Sequence, residues 1–75
     1  MKYIIKISIF DFLGKHYIFK SREFDVKIRF LKKSGIFRYK FVLQVEGSEE
    51  NIQKYLDYLK WVGFKIHYKK MVYSM

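Results

Sequence analysis

Seventy-five residues give one small unit, residues 1–75, near the size at which a single core only just suffices, and eight Phe, seven Tyr and one Trp supply the bulk for it. The absence of Cys excludes disulfides and thiolate metal sites, so nothing of that kind staples the fold. Sixteen Lys and Arg against seven Asp and Glu give a formal net charge of +9, which favours anionic partners. No apolar run reaches the ~20 residues of a membrane span, and Lys2 and Lys6 interrupt the one N-terminal apolar segment, so the expectation is a soluble, cytoplasmic protein with no membrane partner.

Residues 2–10 alternate, with Tyr3, Ile5, Ile7 and Ile9 on one face and Lys2, Ile4, Lys6 and Ser8 on the other, the period of a half-buried strand. Asp11 to Gly14 reads as a turn. The next element has two readings. Tyr17, Ile18 and Phe19 favour a strand over 15–20, to which local propensity leans; a helix with Asp11 as its cap puts Leu13, Tyr17 and Phe24 on a stripe broken at Lys20.

Asp25 to Lys33 alternates again, with Val26, Ile28 and Phe30 inward and Lys27, Arg29 and Leu31 outward. Lys32 to Gly35 reads as the loop of a hairpin whose second strand is Ile36 to Glu46. In that strand Phe37, Tyr39, Phe41, Leu43 and Val45 face inward, and Arg38, Lys40, Val42, Gln44 and Glu46 face outward. Ser48 is a helix N-cap, with Glu49 and Glu50 set against the positive end of the helix dipole. The helix runs from Glu49 to Val62 with Ile52, Tyr55, Leu56, Leu59 and Val62 as its apolar stripe, and Gly63 stops it. Residues 64–70 form a last strand, with Phe64, Ile66 and Tyr68 inward and Lys65, His67 and Lys69 outward; Met71 to Met75 reads as an extension or frayed tail.

The fold class is therefore α+β, a two-layer sandwich on an antiparallel sheet. It is the ferredoxin-like βαββαβ plan if 15–20 is helical, and a hairpin variant with one covering helix if it is not. The expected core is Ile5, Ile7, Phe30, Tyr39, Phe41, Leu43, Ile52, Leu56, Leu59 and Ile66.

The outward positions Lys2, Lys6, Lys27, Arg29, Arg38, Lys40, Lys65, His67 and Lys69 make one sheet face basic, with no predicted helix to cover it. Such a face concentrates phosphate polyanions and makes nucleic acid the candidate partner. The same lysines also serve to solubilise an exposed sheet and deter edge pairing. Tyr39 and Phe41 resemble the paired aromatics of RNA-recognition domains, but they share a face with Leu43 and Val45, so they belong to the core and base stacking is not expected. Trp61 lies opposite Ile52 on the helix, beside Lys54 and Tyr58; Tyr58 and Trp61 are covered by a loop or tail, or anchor a homodimer or partner contact.

Catalysis finds no signature. His16 and His67 have no companion at metal-ligand spacing, no Ser stands in a nucleophile elbow, and Gly14, Gly35, Gly47 and Gly63 are isolated, so no catalytic residue, metal site or cofactor is expected.

Phe24 to Leu31 (FDVKIRFL), Val45 to Ile52 (VEGSEENI) and Tyr58 to Gly63 (YLKWVG) resemble the NIL domain, a small ferredoxin-like module of methionine-importer ATPases, and more loosely ACT domains. The resemblance covers about the last two-thirds of the chain. It implies a ferredoxin-like fold, a helix at 12–23, and a regulatory, dimerising module for a small metabolite such as an amino acid. Arg29 stands where the family's name-giving Asn would be, so no binding residue is carried over.

Overall fold

The computed structural model describes residues 1–10, 14–35 and 38–72. The turn at Asp11 to Leu13 with its Asp11 cap, the inward Phe37 and the last three residues of the tail lie outside the described residues. The elements are β1 (Lys2–Ile9), α1 (Lys15–Ile18) running on as a 3-10 segment (Phe19–Phe24), β2 (Lys27–Ser34), β3 (Tyr39–Glu46), α2 (Glu49–Val62) and β4 (Lys65–Met71). The four strands form one antiparallel sheet in the order β2-β3-β1-β4, with the helical elements on one face, which is the ferredoxin-like arrangement.

β1 pairs with β3 in a register that sets Tyr3 opposite Val45, Ile5 opposite Leu43 and Ile7 opposite Phe41. All six are buried, and they meet Ile52, Tyr55, Leu56 and Leu59 of α2, which are buried in turn. The N-cap expectation holds in detail: the Ser48 hydroxyl accepts from the Asn51 N–H at 3.1 Å, and Lys54 pairs with Glu50 at 3.2 Å. Gly63 ends the helix at φ +126°, its N–H turned back to the Leu59 and Lys60 carbonyls.

Residues 15–24 are helical, against the local lean to a strand. Both sides of β1 are taken, by β3 and β4, so a hairpin partner following β1 has no edge to join. Ile18 and Ser21 are buried and Phe24 half-buried, a three-residue spacing that a 3-10 helix aligns on one side. Lys20, which breaks the α-helical stripe, is left in solvent. The segment is pinned to α2 by the buried Tyr55 hydroxyl, which donates to the Ile18 carbonyl at 2.7 Å. Burial pushes the Tyr55 phenol far above its ordinary value, so it remains a neutral donor.

Two β-bulges alter the predicted faces. Along β4, Ile66 sits opposite Ile7 and Tyr68 opposite Lys6, which leaves His67 as the extra residue. Beyond it the parity reverses. Tyr68, expected inward, joins the outer face; Lys69, expected outward, lies opposite Ile5 on the helix side; and Lys70 turns outward beside Ile4. In β2 the register shifts between Phe30 and Lys32, so Leu31 is the extra residue, Lys32 lies opposite Val42 on the outer face and Lys33 opposite Phe41 on the inner one. The predicted loop at Lys32 to Gly35 is therefore mostly strand. Gly35 follows the strand at φ +114°, where a Cβ would stand 1.9 Å from the Arg38 carbonyl oxygen.

The core differs from expectation at its margins. Phe30 is 40% exposed, because the short helical segment does not cover the inner face of edge strand β2, and Tyr39 and Ile66 are half-buried. Tyr3, Ile9, Ile18, Val26, Val45, Tyr55 and Phe64 complete the core instead. The tail begins later than predicted, since Met71 closes β4 and the Val72 N–H donates to the Lys2 carbonyl at 2.8 Å.

Tyr55→Phe keeps the ring and removes only the donor to Ile18, so it should cost about 1–3 kcal/mol, the penalty of an unpaired buried carbonyl, in urea unfolding. A change within a few tenths of a kcal/mol, an ordinary surface effect, would mean the bond does not hold the helical layer together.

Candidate anion-binding face

The outer sheet face is built from the alternate positions left over when the inner rows are buried. Its centre is Ser8 on β1. The register sets Lys40 of β3 on one side of Ser8 and Lys65 of β4 on the other, and Lys6 follows on the same face two residues away. The β4 bulge adds a further group: His67 Nε2 lies 2.7 Å from the Ser8 hydroxyl, the bond that fixes the exposed imidazole over a serine only 1% exposed. At the rim the Arg38 guanidinium stacks over the Phe10 ring at 4.1 Å from its centroid. Its Nε is buried without a hydrogen-bond partner.

Partial desolvation, then repulsion from Lys65, Lys6, Arg38 and Lys40, hold the His67 imidazole below its ordinary pKa. The group is thus mainly neutral at neutral pH, and a bound anion would offset part of the cations' repulsion and favour the protonated form. Chemically, the arrangement offers charge and hydrogen-bond donors to an anion.

The remaining predicted cations are less concentrated. Lys2 and Lys27 flank Glu46 from opposite strands, so the carboxylate offsets part of their charge, and Arg29 lies opposite Gln44. Lys69 does not belong to the face. Its ammonium lies over the Tyr3 ring at 4.4 Å and 3.6 Å from Glu49, whose carboxyl is lowered first by the Tyr3 hydroxyl's hydrogen bond and also by Lys69. Sequence reasoning missed Lys32, Lys70, Ser8 and Phe10. Ser8 stood in the outer row from the start, whereas Lys70 required the bulge to be known.

Ser8 and His67 lie within hydrogen-bonding reach, as a nucleophile and its base do. Ser8, however, stands within β1, next to its last residue, and is enclosed, and among the described residues no carboxylate hydrogen-bonds the imidazole. Nor do the described residues hold a group of three or more His, Asp or Glu able to bind a metal.

On the helical layer Trp61 is 83% exposed and stacks on Tyr58 at 6.4 Å. Tyr58 also meets Phe24 at 5.3 Å and Tyr17 at 6.5 Å. The structure thus brings Tyr58 and Trp61 together as an aromatic row on the side away from the basic face.

No protein-family model matches the chain, and no curated protein matches it in sequence. Among solved structures it is similar to the C-terminal domain of an ABC transporter ATP-binding protein from Enterococcus faecalis, at 13% identity and a TM-score of 0.62, covering 85% of this chain and 81% of that one. It is also similar to two de novo designed proteins: Foldit4, at 9% identity and TM-score 0.60 over 96% and 97% of the chains, and Ferredog-Diesel, at 12% identity and 0.55 over 91% and 85%. These likenesses show the fold. No helix among the described residues is long and apolar enough to cross a membrane.

An imidazole crowded by cations should titrate by NMR with a midpoint below the ordinary value of about 6.5. Lys6→Gln with Lys65→Gln should move that midpoint upward. Because unfolded His67 then binds its proton more readily than folded His67, the contribution to stability is present above the unfolded midpoint and lost as pH falls through the folded one. A midpoint at or above the ordinary value would contradict the crowding.

Proposed function

We propose that this chain is a small, non-enzymatic binding module that lays its outer sheet face on the phosphate backbone of a nucleic acid, anchored where Lys6, Arg38, Lys40 and Lys65 surround Ser8 and His67. The observation that carries the reading is that cluster: cations from three adjacent strands, with no acid in the cross-strand positions beside Ser8. Lysine charge placed only for solubility has no need to converge on one polar centre. Phe41 is buried and Tyr39 half-buried on the opposite face, so neither stacks on bases and the contacts are chiefly to the phosphate backbone, with Phe10 and Tyr68 the exposed aromatics of the outer face.

A second reading has its own support. The fold is shared with a domain of an ABC transporter ATP-binding protein, and the stretches Phe24 to Leu31, Val45 to Ile52 and Tyr58 to Gly63 that resemble the NIL domain favour a regulatory module for a small metabolite, in which Trp61 stacked on Tyr58 would serve a homodimer or partner contact. A thermal-shift series with methionine and other amino acids discriminates the two, since a polyanion binder is indifferent to them.

Fluorescence anisotropy with duplex oligonucleotides tests the first reading. With about four phosphate contacts, log K should fall with log salt at a slope near −3.6, with little dependence on sequence. Lys6→Glu with Lys40→Glu should weaken binding across all sequences and make the slope shallower by roughly 2. Absence of binding at ~50 mM salt, where counterion release is strong, or binding indifferent to the double reversal, would refute it.

A further inference from the structure

We infer that the groove between the 3-10 segment and the edge strand β2 is a binding site for a small amphipathic anion, an alkyl or aryl carboxylate. It lies on the helix side of the sheet and shares no anchoring residue with the Ser8–His67 cluster, so either assignment can fail alone.

The groove exists because α1 lasts only Lys15–Ile18 and the tighter 3-10 turns that follow do not reach across β2. Val26 and Ile28 lie at its base, and Phe19 and Phe30, 58% and 40% exposed, form a wall with ring centroids 5.7 Å apart. Two aromatics this exposed, facing each other in a domain otherwise short of core, are apolar surface that a ligand would remove from water. The volume is about 710 Å³, within the range of small-molecule sites. A second depression of about 270 Å³ shares Phe19 and Phe30 and adds Phe41 and Lys33.

Charge selects the ligand. The polar residues of the larger groove are Ser21, Arg22 and Lys27, and that of the smaller is Lys33; neither lining contains an Asp or Glu. An apolar body therefore has a floor and wall, and an anionic head has Arg22 or Lys27 within the same lining. The ammonium of an amino acid would meet cations and no carboxylate, which argues for a plain carboxylate over a zwitterion.

The test uses the full chain, isotopically labelled, titrated by NMR with dodecanoate, dodecan-1-ol, dodecylammonium and acetate, each below its aggregation threshold. Dodecanoate should bind one to one with amide shifts centred on Phe19, Ser21, Ile28 and Phe30. The alcohol should bind more weakly, and the ammonium and acetate at least about tenfold more weakly, for want of charge complementarity or of an apolar body. Phe19→Asp should lower dodecanoate affinity by about tenfold or more through loss of an aromatic wall, and because Phe19 is largely exposed the fold should be kept. Arg22→Glu, at an exposed position, is the second variant and should reduce the preference for carboxylate over alcohol. Shifts confined to Lys6, Ser8 and His67, equal binding of the ammonium, or affinity unchanged in both variants would overturn the assignment.

Discussion

Strand β1 is hydrogen-bonded on both sides, and the alternation of its side chains decides what the neighbouring strands can show to either layer. Tyr3, Ile5, Ile7 and Ile9 must all be buried, so a one-residue slip would send four core side chains into water and three polar ones, Lys2, Lys6 and Ser8, into the core. Against so firmly registered a strand, irregularity is absorbed by its partners. In β4 the bulge at His67 keeps Ile66 against Ile7 while the rest of the strand reverses parity, and the same step delivers the imidazole to Ser8. The polar centre of the outer face is thus a by-product of packing on the inner one.

The helical layer is unequal. α2 is long, capped at both ends and amphipathic, and it covers β1 and β3. Its counterpart is one α-turn and a 3-10 continuation, held at a buried hydrogen bond from Tyr55. The 3-10 continuation leaves the inner face of β2 partly open, and Phe19 and Phe30 cover what remains by leaning on each other. The aromatic-rich composition is suited to this, because each ring covers a large area with few residues.

Much of the architecture was legible because it rests on local periodicity. The alternation of β1 and β3 and the Ser48-to-Gly63 helix are patterns that burial enforces, and they stand where they were predicted. The state of 15–24 was only half legible: local propensity leaned to a strand, because Tyr17, Ile18 and Phe19 are β-formers, whereas the NIL resemblance implied a helix at 12–23, and the occupation of both edges of β1 removes the strand alternative. Bulges were equally hidden, since His67 and Leu31 carry no mark in composition. Hence Lys69 was placed on the wrong face and Lys32 and Lys70 were overlooked, while Lys6, Lys40, Lys65 and His67 were found, lying before the parity change or at it. Function was less legible still, because this fold is shared with proteins designed de novo, and chemistry must be read from side chains alone.

The central claim is that the Ser8–His67 end of the sheet is the working surface. The direct measurement is an amide chemical-shift map of the labelled chain with a short duplex oligonucleotide at low salt. The account predicts perturbations centred on Lys6, Ser8, Lys40, Lys65 and His67, with Lys69 and the helical layer unaffected. Perturbations centred on Tyr58 and Trp61, or spread evenly over every lysine including Lys69, would contradict it.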